Sequence, residues 1–309
     1  MNSATNKKLK FLQQYCEENY LELKRKFPNM IGLHVDQKVK KNKKMRIYSI
    51  VFHVLKKNPD ENYNSIPPYI EIIFPNHLLY KIPTDIIERN HFKLQSGYPG
   101  CRVLNSTVNE IGSCSIFLKK DSDIIAVSNM HVMGSQFITD STSYVPDLGN
   151  NLPKVVIGQD QSIKGTVFRG AFNDRLDVAF CRIDPNDHQK VSNIVPGVGK
   201  IQGYYNATNN YNKYKEVKVY GNISKLQRST IKNVSTILEF NYSTDNLSFY
   251  HIFYGVSCLE DSVTSGGDSG GIVIMNDNQI IGIVLGSDGK NTYYLPYIRI
   301  KDYFNAIVL

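Results

Sequence analysis

The hydrophobic positions at the start of the chain change from a helical period to the pattern of strands. Over residues 7–27 apolar residues recur at steps of three and four, with Lys and Glu between them. This pattern is typical of an amphipathic helix, which Pro28 ends. Two runs of strand character follow at 31–35 and 46–55, joined by a charged turn at 38–44. The pattern predicts a helix, a strand, a turn and a second strand.

One more strand is predicted before the pattern breaks. It covers 69–75 and follows Pro67 and Pro68, and residues 91–105 contain the breakers of a connector. We therefore predict a small α+β domain over residues 1–95.

The remaining residues, 96–309, show short apolar runs about every 8 to 15 residues, separated by Gly, Asn, Asp and Ser. No helical period lies between these runs. Many short strands at such spacing predict a β-barrel or β-sandwich domain of about 200 residues, so the chain as a whole is predicted to be mainly β. The segment from 302 to the end is predicted to form a short helix.

The composition excludes several classes of protein. With 41% apolar and 21% charged residues the chain is neither disordered nor fibrous. No apolar run reaches the roughly 18 residues of a membrane span, and the first 20 residues lack the apolar core of a secretory signal. Five cysteines without metal-type spacing fit free thiols in a reducing compartment. We therefore expect a cytoplasmic protein with neither a metal nor another cofactor.

The net charge of +8 is concentrated at one end of the chain. Residues 1–57 hold 14 Lys and Arg against 4 Asp and Glu, a balance of +10, which leaves −2 for the rest. A basic end of this kind can bind nucleic acid or another acidic partner. The simpler interpretation is a solvated helix face followed by a charged hairpin tip. The charge alone leaves both interpretations open.

The segment 265–275, SGGDSGGIVIM, points most directly to chemistry. Four glycines surround Ser269, and an apolar strand follows at once. A tight loop that turns backbone N–H groups toward a ligand requires such glycines, whereas a strand does not. The alternative is a glycine-rich turn before a hairpin strand.

Two further segments carry a candidate residue each. His131 follows the apolar strand of DIIAVSNMHVMG, and Asp177 opens the apolar strand DVAFCRI. Taken singly, His131 fits a buried core histidine and Asp177 fits a strand-end aspartate that must find hydrogen bonds or stay in water. Asp174, three residues earlier, is the alternative acid.

Together the three segments resemble the chymotrypsin/trypsin-like serine peptidases. The marks of that family are a GDSGG loop, a histidine in an (S/A)xxH setting and a DxA(L/F) strand. Here they are residues 267–271, 128–131 and 177–180, in the order His, Asp, Ser. The resemblance covers about residues 100–300 and implies a chymotrypsin-like double β-barrel behind the small α+β domain.

The resemblance also implies a role for each residue. Ser269 would be the nucleophile, His131 the general base and acid, and Asp177 the group that orients the imidazole. The backbone N–H groups of Gly267 and Ser269 would form the oxyanion hole.

The same resemblance implies a substrate-binding strand at 282–289. The residues expected to contact substrate are Val263, Leu285, Gly286 and Ser287. Val263 stands where trypsins carry an acid, which implies a neutral or apolar residue before the cleaved bond, unless Asp288 reaches the rim of the pocket.

Departures from the secreted members of the family refine the prediction. Val132 replaces the cysteine that follows the histidine, and no IVGG-like segment lies near residue 100. A new N-terminus inserted beside Asp268 is therefore not expected. In layout the chain is closest to intracellular bacterial trypsin-like peptidases with a small N-terminal domain.

We predict a serine endopeptidase with a protein or peptide substrate, gated by its N-terminal domain or by an activating partner protein. The alternative is a non-catalytic protein-binding module on a protease scaffold.

Overall fold

The computed structural model describes residues 3–40, 43–55, 65–89, 92–94, 101–144, 152–158, 161–243 and 247–309. Strands dominate, so the predicted mainly β fold is confirmed. The helices are α1 (Ser3–Lys26), α2 (Met130–Met133) and α3 (Tyr297–Tyr303). The strands, in chain order, are β1 (Met30–Lys40), β2 (Lys43–Val54), β3 (Tyr69–Ile73), β4 (Leu79–Glu88), β5 (Phe92–Leu94), β6 (Arg102–Asn105), β7 (Glu110–Ser113), β8 (Ile116–Lys120), β9 (Asp123–Ser128), β10 (Ser143–Tyr144), β11 (Lys154–Ile157), β12 (Ile163–Phe172), β13 (Asp177–Ile183), β14 (Ile194–Val195), β15 (Gly199–Lys200), β16 (Gly203–Tyr204), β17 (Glu216–Gly221), β18 (Lys225–Ser243), β19 (Ser248–Leu259), β20 (Ile272–Met275), β21 (Gln279–Ser287), β22 (Thr292–Pro296) and β23 (Ile307–Val308).

The chain divides into two compact units. The first contains Met1–His91 together with Ser235–Glu239, and the second contains Phe92–Val234 and Phe240–Leu309. The sequence prediction assigned residues 235–239, in the middle of the long strand β18, to the second domain. These residues join the first unit because they pair with β1.

The first unit is a helix packed on a small mixed sheet. Its strand order is β18, β1, β2, β4, β3, with β2 and β4 parallel. The predicted helix is present and starts four residues earlier than expected, and its apolar stripe is buried: Leu9, Leu12, Cys16, Tyr20 and Leu23.

Two strands of the first unit differ from the sequence prediction. Strands β1 and β2 extend into the predicted turn at 38–44, of which residues 41–42 lie outside the described part of the chain. Strand β4 was missed because Pro83 interrupts its pattern and because several of its positions are exposed, which hides the alternation of a half-buried strand.

The second unit contains two large sheets. One has the order β23, β8, β9, β13, β12, β11, β6, β7, with β10 beside β12. The other runs β17, β20, β21, β22, β19, β18, and pairing of β17 with β18 closes it into a six-stranded barrel. These sheets occupy the part of the chain for which two barrels were predicted.

Two predictions for the C-terminal end of the chain were wrong. The predicted strand at 291–300 stops at Pro296, because proline has no N–H for the ladder, and helix α3 follows. Tyr297, Ile300 and Phe304 then form a buried stripe at helical spacing. The helix predicted from 302 onward ends at Tyr303, and β23 pairs instead with β8.

No helix in the described ranges is both long enough and apolar enough to cross a membrane.

Gly32 tests the pairing between β1 and β18. A Cβ atom at this position would lie 2.5 Å from the carbonyl oxygen of Ile237, so Gly32→Ala must displace backbone. We expect a loss of about 1 to 3 kcal/mol in the free energy of unfolding, measured by urea denaturation. Gly266→Ala is the control, because a Cβ there meets nothing within 4 Å. Equal stability of the two variants would contradict the proposed contact.

Candidate active site

His131 and Asp177 form a buried hydrogen-bonded pair. His131 lies on α2, which begins where β9 ends, and Asp177 opens β13, whose Ala179 pairs with Ser128 of β9. The His131 ring Nδ1 is 2.5 Å from Asp177 Oδ2, and the backbone N–H of His131 donates to Oδ1 over 3.1 Å. Since a carboxylate only accepts, Nδ1 carries a proton, and in the neutral form of the ring Nε2 is then the atom with the lone pair.

The structure distinguishes the two candidate acids. Asp177 is fully buried and receives both hydrogen bonds from His131. Asn129 donates to the backbone carbonyl of Asp177 over 2.9 Å, which fixes the start of β13 against the start of α2. Asp174 is exposed. The orienting acid, if His131 acts in catalysis, is therefore Asp177.

Ser269 lies in a tight loop before β20. Gly267 and Gly270 adopt positive φ angles of 117° and 81°, which a residue with a side chain adopts only under strain. The loop is closed by hydrogen bonds from Asp268 N to the Ser265 carbonyl and from Gly271 N to the Asp268 carbonyl. Ser269 is buried, and its hydroxyl donates to the carbonyl oxygen of Leu285 over 3.3 Å.

Strand β7 connects this loop to the segment that carries His131. The N–H of Ser113 donates to the Ser269 carbonyl over 2.7 Å, and the hydroxyl of Ser128 donates to the Ser113 carbonyl. A Cβ at Gly270 would overlap both of these groups, and one at Gly112 would overlap Val132 of α2. The close approach at these two glycines brings the Ser269 loop and α2 to the same strand.

Asp268 anchors the Ser269 loop to the turn between β17 and β18. Its buried carboxylate accepts from the N–H of Ile223 at 2.9 Å, from the N–H and the hydroxyl of Ser224 at 3.3 and 2.5 Å, and from the N–H of Ser265 at 2.9 Å. Within the described residues these four donors are all neutral. A Cβ at Gly221 would overlap the carboxylate. The turn between β17 and β18 therefore holds Asp268 without a counter-charge.

Sequence reasoning missed Gly221 and Ser224. Their segment, 221–225, has the composition of an ordinary hairpin turn, and its contact with Asp268 is between residues more than forty positions apart. Only the absence of an IVGG-like segment indicated that Asp268 would need a different partner.

The residues predicted to contact substrate lie on β21 and on the segment before the Ser269 loop. Leu285, Gly286 and Ser287 end β21. Val263 is half-buried and packs against the core of the second sheet, while its N–H donates to Thr292 Oγ1 over 3.0 Å.

The carboxylate of Asp288 is held by the turn that follows it. It accepts the N–H groups of Lys290 and Asn291 at 2.8 and 2.6 Å and the hydroxyl of Tyr293 at 3.2 Å. Its charge is therefore engaged in its own turn.

An aromatic cluster packs beside Asp177. Phe172, opposite Asp177 in the sheet, contacts His251 and Tyr242. Burial lowers the pKa of His251, which favours a neutral ring whose Nε2 donates to the Asn173 carbonyl over 3.0 Å. Burial, helped by the charge of Asp177, raises the pKa of Tyr242. This cluster limits access of water to the Asp177 side of the pair.

Comparison with known proteins gives matches in solved structures only. No protein-family model matches the sequence, and no curated protein matches it significantly. Protease A of Thermobifida fusca is 18% identical, with a TM-score of 0.47 and coverage of 70% of this chain and 98% of that chain. A glutamic acid-specific serine protease is 17% identical (TM-score 0.47, coverage 68% and 98%), and Cellulomonas bogoriensis chymotrypsin is 16% identical (TM-score 0.43, coverage 63% and 89%). All three are proteases. The likeness concerns the fold.

Ser224→Ala tests the anchor of Asp268. The variant removes the hydroxyl donor to a buried carboxylate, and hydrogen bonds to charged groups contribute about 1.5 to 3 kcal/mol. We expect a loss of that size in the free energy of unfolding, measured by denaturant titration. Ser141→Ala, at an exposed position, is the control and should change stability by less than about 0.5 kcal/mol. An equally small change in Ser224→Ala would show that the hydroxyl is dispensable.

Proposed function

We propose that the chain is a serine endopeptidase in which Ser269, His131 and Asp177 act as a catalytic triad. The observation that supports this most strongly is the buried pair of His131 and Asp177, with Nδ1 bonded to the carboxylate. That bond leaves Nε2 as the basic atom of the ring. Ser269, the proposed nucleophile, is connected to the same region because Ser113 donates to its carbonyl and accepts from Ser128.

The reaction would proceed through an acyl-enzyme. Ser269 Oγ attacks the carbonyl carbon of the scissile bond while its proton passes to His131 Nε2. His131 then donates that proton to the leaving amine, and the C–N bond breaks. Water attacks the ester with His131 again as base, which releases the acid and restores Ser269.

Two features prepare these steps. Asp177 stabilises the imidazolium that forms in each half of the reaction, and its burial strengthens that interaction. The hydroxyl of Ser269 carries one proton, which it donates to Leu285 in this state, so it must rotate toward His131 before attack.

The oxyanion would be bound by the backbone N–H groups of Gly267 and Ser269. The carbonyls of the same two residues accept from Ser113, through its hydroxyl at 3.5 Å and its N–H at 2.7 Å. Ser113 thus holds the peptide units that follow Gly267 and Ser269, next to the two units that carry these N–H groups. Such preorganised donors typically contribute about 3 to 4 kcal/mol each to the barrier reduction.

The substrate would be a protein or peptide with a neutral residue before the cleaved bond. Val263 carries no charge and packs against the core of the second sheet, and the hydroxyl groups of Ser262 and Ser287 bond to each other over 2.7 Å. A Lys or Arg side chain beside them would have to compete for the Asp288 carboxylate with the N–H donors of its own turn. We further propose that the site is gated, through the N-terminal domain or an activating partner protein.

Asp177→Asn tests the triad against the alternative acid. Asparagine keeps the shape but holds the imidazole in the wrong tautomer, a change that lowers kcat by about 10⁴ in trypsin-like enzymes. We expect a loss of that order in Asp177→Asn, while the exposed Asp174→Asn should stay near the unmodified rate. The measurement is hydrolysis of a peptide ester, with Ser269→Ala as the inactive reference.

Covalent labelling gives the accompanying control. A fluorophosphonate should modify the unmodified chain and not Ser269→Ala. The proposal fails if folded protein is labelled equally in both, or if Asp174→Asn loses as much activity as Asp177→Asn.

A cleavage-site profile on a peptide library tests the specificity. We expect cleavage after neutral residues, with Lys, Arg, Asp and Glu disfavoured, and the same profile for Asp288→Asn. A preference for Lys or Arg that disappears in Asp288→Asn would show instead that this carboxylate reaches the substrate.

A further inference from the structure

The Ser269 loop and a short strand of the same chain, β5, both lie along one edge of β21. Strand β22 pairs with β21 along its other edge, with Gly286 opposite Tyr293 and Ser287 opposite Thr292. On the shared edge β20 pairs as far as Ile283, and Gly270 and Gly271 then exchange hydrogen bonds with Val284.

Beyond that point the shared edge is occupied by β5. This strand runs antiparallel to β21, with Leu94 opposite Gly286 and Lys93 opposite Ser287. On its other side β5 pairs with β18, where Phe92 lies opposite Phe240. Three residues are therefore held in extended conformation between two strands.

The position of β5 matters because Ser269 lies at the same edge of β21. Leu285, the residue between Val284 and Gly286, accepts the hydroxyl of Ser269 over 3.3 Å. Leu285 is the residue at which β21 shifts register against β22. A peptide that pairs antiparallel with Ser287 and Gly286 would reach Leu285 with its next residue. Its next carbonyl would then lie beside the nucleophile.

We propose that Phe92–Leu94 occupies the substrate-binding edge implied for β21 and pairs with it as a substrate would. The inference rests on the proposed function, and it specifies how the site would be gated: β5 blocks the edge that binds substrates. Strand addition to an open edge binds a peptide through its main chain, so the segment needs no particular side chains to compete.

The occupant has two advantages over a free peptide. It belongs to the same chain, so its effective concentration is in the millimolar range that short linkers typically give. It is also paired on both sides, with β18 as well as β21. In the same state Ser269 is buried. An external substrate must therefore displace the segment before it reaches the nucleophile.

The variant Lys93→Pro tests whether β5 occupies the edge of β21. Proline removes a backbone donor and is not accommodated in the middle of a sheet, so the segment should leave the edge. The probe is a tripeptidyl phosphonate with a neutral residue at the reactive end, which needs the edge of β21 to bind. We expect it to modify Ser269 at least tenfold faster in Lys93→Pro than in the unmodified chain.

Lys93→Ala is the matched control. It makes the same change of charge but keeps the backbone N–H, so it should react like the unmodified chain. Equal rates in all three proteins would overturn the inference while leaving the proposed function intact. Acceleration in both variants would also overturn it, because the effect would then come from the side chain.

Hydrogen exchange in full-length Ser269→Ala gives a second test that needs neither activity nor the proline variant. The amides of residues 93–94 and 286–287 should exchange slowly if the pairing exists. Exchange of residues 93–94 at the rate of an unstructured peptide would overturn the inference. Failure of the proposed function looks different: no phosphonate reacts with either the unmodified chain or Lys93→Pro, whatever the exchange shows.

Discussion

The burial of the Asp177 carboxylate is the constraint on which the site depends. A charge removed from water must be matched by hydrogen bonds or by an opposite charge. His131 satisfies Asp177 from its ring and from its backbone, and Asn129 fixes the backbone of Asp177 itself. These bonds require that α2 start where β9 ends and that β13 pair with β9 in this register. The register of β13 against β9 and the orientation of the imidazole are thus linked through one buried carboxylate.

A second buried carboxylate, Asp268, obeys the same rule with different partners. Its donors are two neutral segments, the turn after β17 and the start of the Ser269 loop. A carboxylate held by neutral donors needs no event that supplies a cation. The hairpin of β17 and β18 therefore supplies most of the hydrogen bonds that Asp268 requires. Under the proposed function, control of the site would therefore act on access to the loop instead of on its geometry.

Much of the candidate site could be predicted because its residues lie in short local patterns. The glycines around Ser269 mark a loop that a strand does not explain, and Asp177 stands at the start of a continuous apolar run. What could not be predicted depends on distant contacts. Ser224 matters only because the barrel brings it to Asp268, and β4 is hidden because Pro83 and exposed positions disturb its alternation. The insertion of residues 235–239 into the first unit follows from pairing with Gly32, a position that a sequence pattern marks as a glycine without naming its partner.

The proposed occupation of the β21 edge by β5 would also control the access of substrates to Ser269. An exposed strand edge presents unpaired N–H and C=O groups and invites pairing with other chains, so proteins cover such edges. Under the proposed function this edge must bind substrates, so it cannot be covered permanently by a strand of the core, and it cannot be left open without the risk of association. A three-residue strand between β18 and β21 satisfies both requirements, because it completes the ladder and yet has few bonds to lose. In the proposed mechanism this shortness is essential, because a longer strand would protect the edge equally well but would be harder for a substrate to displace.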